Sequence, residues 1–154
     1  MKITKFLSTT LLLSFLGFSL TTVTSCQKKG CTDQTSDNFD SEAEEDDDSC
    51  NDPRDKFVAS YNVVEAGADP YTLTISKSSV EARTIILSTN FGFPTPAFTL
   101  NASVNKANMT ISTQTAAGGT FSGTGSLNGN ILTISYSITQ NSETQSFVAT
   151  ATKQ

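Results

Sequence analysis

A chain of 154 residues with 15 acidic residues, 10 basic residues and no histidine has room for one domain with short accessory segments. The missing histidine removes the commonest general base near pH 7, so we expect a protein that is not an enzyme. Residues 31–50 hold nine of the acids, whereas the chain from Arg54 onward carries five acids and six bases. This near-neutral remainder argues against a nucleic-acid partner, because such binding needs a basic face.

Residues 1–25 have the layout of a secretory signal peptide. Lys2 and Lys5 form a basic start, an apolar run covers residues 6–23, and the small residues Thr24 and Ser25 follow. A retained transmembrane helix is the alternative, since the run approaches the length that spans a bilayer. Seven serine and threonine residues dilute the run, which favours a cleaved signal and an exported protein.

The stretch Val23-Thr24-Ser25-Cys26 resembles a bacterial lipobox, in which an aliphatic residue and two small residues precede a cysteine. The resemblance implies that Cys26 receives a diacylglycerol, becomes the first mature residue and is acylated at its amine. Two or more acyl chains give stable anchoring. A stray cysteine after an ordinary signal peptide is the alternative, but lipidation also explains an odd cysteine in an exported chain. We therefore expect attachment to the bacterial envelope at the outer membrane, with the periplasmic or surface face left open.

Residues 26–53 form the predicted tether, an acidic segment with too little apolar surface to build a core of its own. Its apolar content is limited to Phe39 and Ala43. A disulfide from Cys31 to Cys50 closes a loop of about twenty residues, which is worth roughly 3 kcal/mol in the chain-entropy model. Export permits that bond. We expect a disordered or disulfide-closed tether that ends near Pro53.

The same segment resembles a short acidic module found in secreted proteins of Bacteroidetes bacteria, where it generally lies between an anchor and a larger domain. The shared pattern is C-T-D, an Asn-aromatic-acidic triplet, an alanine and D-D-G-S-C. It matches Cys31-Thr32-Asp33, Asn38-Phe39-Asp40, Ala43 and residues 46–50. Asp48 stands where the pattern has glycine, which indicates a positive φ at that position.

Oxygen-bearing side chains of the tether raise the hypothesis of a calcium site, because calcium takes six to eight oxygen ligands. Their spacing is not that of an EF-hand. The alternative is a solvated acidic spacer that like charges keep extended. The hypothetical ligands are Asp33, Asn38, Asp40, Asp46 and Asp47.

From residue 54 to residue 154 apolar and polar side chains alternate with a period of two. Strands are predicted near residues 57–64, 71–75, 83–88, 98–104, 109–111, 120–127, 130–139 and 144–152. Eight short strands with sequential connections favour an all-β, up-and-down antiparallel barrel over an immunoglobulin-like β-sandwich. The segments 55–63 and Phe121-Ser122-Gly123-Thr124-Gly125 resemble lipocalin-like domains of Bacteroidetes lipoproteins, which implies a lipocalin-like barrel.

The dipeptide Asn128-Gly129 predicts a two-residue type I′ hairpin turn. The resulting register places glycines opposite large aliphatic side chains on one face of the hairpin. The predicted pairs are Leu127 with Asn130, Gly125 with Leu132, Gly123 with Ile134, and Phe121 with Tyr136.

Two features are candidates for a binding surface. Inward-facing Gly123 and Gly125 leave room for a small ligand or, as we expect, for Leu132, Ile134 and phenylalanine side chains. Phe91 and Phe93 form a rigid mouth, a partner-facing patch or, as we expect, a plug at one barrel end. The predicted function is a lipid-anchored lipoprotein that binds a small apolar ligand or an envelope protein. The alternative is a structural or interaction module with a filled barrel.

Overall fold

The computed structural model describes residues 27–94 and 96–154. The predicted signal peptide and Cys26 lie outside these residues. Within them no helix is long and apolar enough to cross a membrane. The strands are β1 (Lys29–Gly30), β2 (Glu45–Asp46), β3 (Ala59–Glu65), β4 (Tyr71–Lys77), β5 (Thr84–Thr89), β6 (Phe98–Asn105), β7 (Asn108–Ala116), β8 (Gly119–Asn128), β9 (Ile131–Gln140) and β10 (Glu143–Lys153).

Strands β3 to β10 form a closed antiparallel barrel in which each strand pairs with its neighbour in sequence and β10 pairs with β3. The predicted all-β barrel is therefore confirmed, and the β-sandwich alternative is wrong. Closure leaves the barrel without the free edges that a flat meander would expose. The period of two explains the interior, since alternate side chains of each strand point into the core.

The turn between β8 and β9 differs from the predicted one. The loop is Gly129-Asn130, and Asn128 pairs with Ile131. Gly129 has a φ of 57°, whereas Asn130 has no positive φ. This is the pattern of a type II′ turn, in which glycine occupies the first central position. The predicted pairs are wrong by two residues. The predicted inward face is nevertheless correct, because a shift of two preserves the alternation.

The acidic segment, residues 27–53, is folded rather than an extended spacer, and it is called the module below. The Cys31–Cys50 disulfide is present, with a Cα–Cα distance of 4.7 Å, as predicted. Strands β1 and β2 pair in parallel, and the ammonium groups of Lys28 and Lys29 form ion pairs with acids of the same segment. These pairs offset the like-charge repulsion that would extend it. Asp48 has the positive φ, 60°, expected at the glycine position.

Up-and-down connections divide the loops between two ends of the barrel. We call the end with the β4–β5, β6–β7 and β8–β9 connections the module end, and the opposite end the distal end. All six bases of residues 54–154 lie at the module end, where two acids, Asp55 and Glu81, also lie. These bases are Arg54, Lys56, Lys77, Arg83, Lys106 and Lys153.

The module docks on this basic end. The guanidinium of Arg83 lies 2.9 Å from Asp33, and Lys56 forms an ion pair with Asp37. The backbone N–H of Lys106 donates to the carbonyl oxygen of Thr35 at 2.9 Å. The ammonium of Lys106 lies 5.9 Å from the centre of the Phe39 ring. Bases from three separate segments of the barrel therefore hold one acidic module.

Asp52 links the module to the barrel through the strongest charge contacts of this region. The guanidinium of Arg54 donates to both carboxylate oxygens, and the ammonium of Lys77 lies 2.9 Å away. The hydrogen bonds from Arg54 and Lys77 hold the pKa of Asp52 far below its usual value. The pKa of Asp33 is also lowered, chiefly by hydrogen bonds from Thr35 and also by Arg83.

We predict that acid weakens the folded state through these groups. A lowered folded-state pKa stabilises the protein above the unfolded-state value, about 3.9 for aspartate, and this stabilisation is lost as the pH falls toward the folded-state pKa. The free energy of unfolding, measured between about pH 2 and pH 6, should fall more gently with acid in Asp52→Asn than in the wild type. Asp69→Asn is the control, because Asp69 forms no ion pair among the described residues. Equal pH dependence in wild type and Asp52→Asn would contradict the prediction.

One side chain replaces part of a strand pairing in the barrel wall. Strands β6 and β7 share three residue pairs, all near the module end, and β7 has an irregularity between Ile111 and Gln114. Beyond these pairs the Gln114 carboxamide donates to the Asn101 carbonyl at 2.7 Å and accepts from the Asn101 N–H at 2.8 Å. It therefore satisfies backbone groups that a neighbouring strand would otherwise satisfy.

Gln114→Ala removes both of these hydrogen bonds. We expect it to lower the free energy of unfolding by about 1–3 kcal/mol, since a typical hydrogen bond contributes about 0.5–1.5 kcal/mol. Urea unfolding measures the difference. Gln145→Ala, an exposed position on β10, is the control and should cost less. Equal losses in the two variants would show that the carboxamide of Gln114 does not support the wall.

Candidate functional site

The distal end is the candidate functional site, because it gathers the predicted surface residues Phe91 and Phe93 with a polar group inside the barrel. These two residues lie in the loop between β5 and β6. Hydrogen bonds between neighbouring residues of the loop fix its shape. The side chain of Asn90 accepts from the Gly92 N–H at 3.2 Å and donates to the Phe93 carbonyl at 3.0 Å.

Phe91 closes the distal end, as the plug hypothesis predicted. Its side chain is 3% exposed. Its ring centre lies 4.7 Å from that of Tyr136, 5.7 Å from Phe121 and 5.8 Å from Phe98. Tilted and offset ring pairs at such distances are favourable beyond their buried area. The next residue must be glycine, since Gly92 has a φ of 72° and a Cβ there would lie 2.8 Å from that of Ala68.

The space beside the two candidate glycines is occupied. A Cβ on Gly123 would lie 2.8 Å from the Tyr136 Cβ, and one on Gly125 would lie 2.6 Å from the Met109 Cε. Tyr136 and Met109 are therefore the side chains that approach these two glycines most closely, and Leu132, Ile134 and Phe121 lie in the same core cluster. The register explains this packing, since it places Gly123 opposite Tyr136 and Gly125 opposite Ile134.

A buried acid, Glu65, lies at the candidate site and was not predicted from the sequence. Its Oε2 accepts hydrogen bonds from the hydroxyl of Tyr71 at 3.0 Å and from that of Tyr136 at 2.8 Å. The signal was present in the alternation, because Glu65 follows the inward-facing Tyr61 and Val63 at two-residue intervals. A position at the end of a strand made it look like a solvent-facing turn residue.

Both tyrosines remain hydrogen-bond donors over the physiological range. Burial is the main cause that raises the pKa of Tyr71 and of Tyr136. The charge of Glu65 and its hydrogen bonds raise them further. The arrangement is thus a neutral pair of phenols around one carboxylate, which locks β3, β4 and β9 together at the distal end.

We predict that Tyr136→Phe lowers the free energy of unfolding by roughly 1.5–3 kcal/mol, the range for a hydrogen bond to a charged group. Tyr61→Phe is the matched control. The hydroxyl of Tyr61 is also buried, but it donates to the neutral carbonyl of Phe57 at 2.8 Å, so its loss should cost about 0.5–1.5 kcal/mol. Chemical denaturation compares the two variants. A smaller cost for Tyr136→Phe than for Tyr61→Phe would contradict the role of Glu65.

Phe93 packs against the core cluster that contains Phe91 and Phe121, but its ring makes no ring–ring contact with any described residue. Its side chain is half-buried and forms the shared wall of two small cavities, together with Ile138 and Gln140. The first cavity, of about 130 Å³, is completed by Pro94, Ala117, Gly119 and Phe121. The second, of about 140 Å³, is completed by Asn141, Glu143, Gln145 and Phe147.

The five candidate calcium ligands take part in separate contacts. Asp33 faces Thr35 and Arg83, Asp40 faces Lys28, and Asn38 bridges Ser49 and Asn51. Asp46 and Asp47 accept from the backbone of Asp48 and Ser49. Among residues 27–94 and 96–154, no three acidic, cysteine or histidine side chains are grouped to hold a metal ion. The five oxygen ligands are therefore not gathered in one place in this arrangement, and calcium binding stays a prediction from the sequence.

Comparison with protein-family models, with curated proteins and with solved structures gives no match to this chain. The class of the protein is therefore described from its fold and its candidate site alone. It is a closed eight-stranded antiparallel barrel that carries a disulfide-closed acidic module at one end and an aromatic plug at the other.

Proposed function

We propose that the protein is a lipid-anchored lipoprotein of the bacterial envelope that presents the distal end of a lipocalin-like barrel as a binding surface. The lipobox resemblance of Val23–Cys26 supports the anchor and a location at the outer membrane. The surface would receive a small, largely apolar ligand or an envelope protein. In chain order, the signal peptide would direct export, Cys26 would carry the anchor, the module would join the anchor to the barrel, and the barrel would present the surface.

The docking of the module on the basic end of the barrel is the observation that carries this proposal. Strand β1 begins at Lys29, three residues after Cys26, and three extended residues reach only about 10 Å. A lipidated Cys26 would therefore hold the module near the membrane surface. Because the module contacts Lys56, Arg83 and Lys106, the opposite end, with Phe93, would face away from the lipid.

A structural or protein-interaction module without a ligand is the second candidate. It is supported by the packing of Met109 against Gly125 and of Tyr136 against Gly123, because a Cβ at either glycine would lie within 3.0 Å of these side chains. The two cavities at Phe93 are each smaller than the 300–1,000 Å³ of ordinary ligand pockets, roughly by half or more. In this case the distal end would contact a protein directly.

The anchor is tested by expressing the full chain in a bacterium supplied with radiolabelled palmitate. We expect label on the wild-type protein in the membrane fraction, and loss of label with release from the membrane in Cys26→Ser. A variant with both Cys31→Ser and Cys50→Ser is the control and should keep its label, since these cysteines form the disulfide. Label that persists in Cys26→Ser would overturn the proposal.

A further inference from the structure

We propose that the two cavities beside Phe93 are halves of one binding site for a small amine with a single aromatic ring, and that the Phe93 side chain moves aside when the amine enters. This inference rests on the proposed function, because it names a ligand class for the distal end. It concerns a site on the rim of the barrel, outside the packed interior that Met109 and Tyr136 fill.

The geometry indicates that the Phe93 side chain is a partition between the two cavities. The linings of the two cavities share Phe93, Ile138 and Gln140, so the cavities are adjacent. Phe93 takes part in none of the ring–ring contacts of the described residues, which all join Phe91, Phe98, Phe121, Tyr136 and Phe147. Its backbone, in contrast, is held by Asn90 through two hydrogen bonds. Rotation of the ring would give up its packing against the core, but it would break none of these ring–ring contacts and neither of these backbone hydrogen bonds.

The combined space suits one aromatic ring with a short chain. Cavities of about 130 and 140 Å³, together with the volume that a displaced Phe93 ring leaves, reach the lower limit of ordinary ligand pockets, about 300 Å³. A closed apolar cavity of about 150 Å³ already holds benzene. Larger lipids and multi-ring ligands exceed this space.

The lining determines the ligand chemistry. Phe121, Ile138 and Phe147 supply apolar and aromatic walls, and aromatic faces attract a nearby cation. Glu143 supplies a carboxylate at one edge. All charged side chains at the distal end, among the described residues, are acidic: Glu65, Asp69 and Glu143. This one-sided charge favours a protonated amine over a neutral or anionic ligand of the same shape.

Calorimetric titration of the full chain in detergent micelles, with empty micelles as the blank, tests the ligand class. The probes are 2-phenylethylamine, 2-phenylethanol and phenylacetate, which share a ring and differ in charge. We expect the amine to bind about tenfold more tightly than phenylacetate, or 1.4 kcal/mol. Phenylacetate bound as tightly as the amine would overturn the assignment.

Glu143→Gln tests the charge contact and should weaken binding of the amine severalfold while leaving 2-phenylethanol unchanged. Asp69→Asn is the matched control, since it removes the same charge from the same end without lining either cavity. An equal effect of both variants would contradict a direct contact with Glu143.

Phe93→Ala tests the partition, because it joins the two cavities permanently. We expect it to bind the larger 2-(1-naphthyl)ethylamine at least fivefold more tightly than the wild type, whereas Phe93→Leu, which keeps a bulky side chain, should resemble the wild type. Circular dichroism checks that each variant is folded. Absence of heat for every probe in the wild type and in folded Phe93→Ala would overturn the site. That outcome is distinguishable from failure of the anchor, since palmitate labelling of Cys26 does not depend on Phe93.

Discussion

The contact between the acidic module and the basic end of the barrel is the interaction on which the arrangement of the molecule depends. The module cannot build a core alone, so it needs both its disulfide and a surface to dock on. The barrel offers that surface because its up-and-down connections bring Lys56, Arg83 and Lys106 to the same end. Single exposed ion pairs are weak, about 0.2–1 kcal/mol each. Several pairs with a backbone hydrogen bond and a cation–aromatic contact act together here.

Because the bases of the barrel all lie at the module end, the charged residues that remain at the distal end are acids. The strands carry few charged side chains, so most of the barrel wall outside is covered by serine, threonine and asparagine. The distal end keeps only acids, one of which, Glu65, is buried between Tyr71 and Tyr136. A rim with aromatic walls and one sign of charge differs from every other surface of the barrel. This difference supports the proposal that recognition takes place at the rim, whether the occupant is a small molecule or a protein.

The strands and the inward face could be predicted from the sequence because both depend on a local period of two. The hairpin register at Gly129 could not, since Asn128-Gly129 and Gly129-Asn130 are both acceptable turn pairs and lead to registers two residues apart. The positive φ of Asp48 was predictable, because a glycine in the resembling module marked the position. Such predictions need only neighbouring residues or a shared pattern.

The candidate site was harder to predict because its parts come from distant segments. Glu65 and Tyr136 are 71 residues apart, and only the closure of the barrel brings their side chains to 2.8 Å. The docking of the module likewise joins Asp33 to Arg83 and Thr35 to Lys106. Sequence patterns identified Phe91 and Phe93 as a pair, yet their environments differ. Phe91 is buried against three other rings, whereas Phe93 is half-buried and lines two cavities. The proposed movement of the Phe93 ring beside the buried Phe91 would change the shape of the rim without opening the core, which is the physical basis for proposing recognition at the rim rather than inside the barrel.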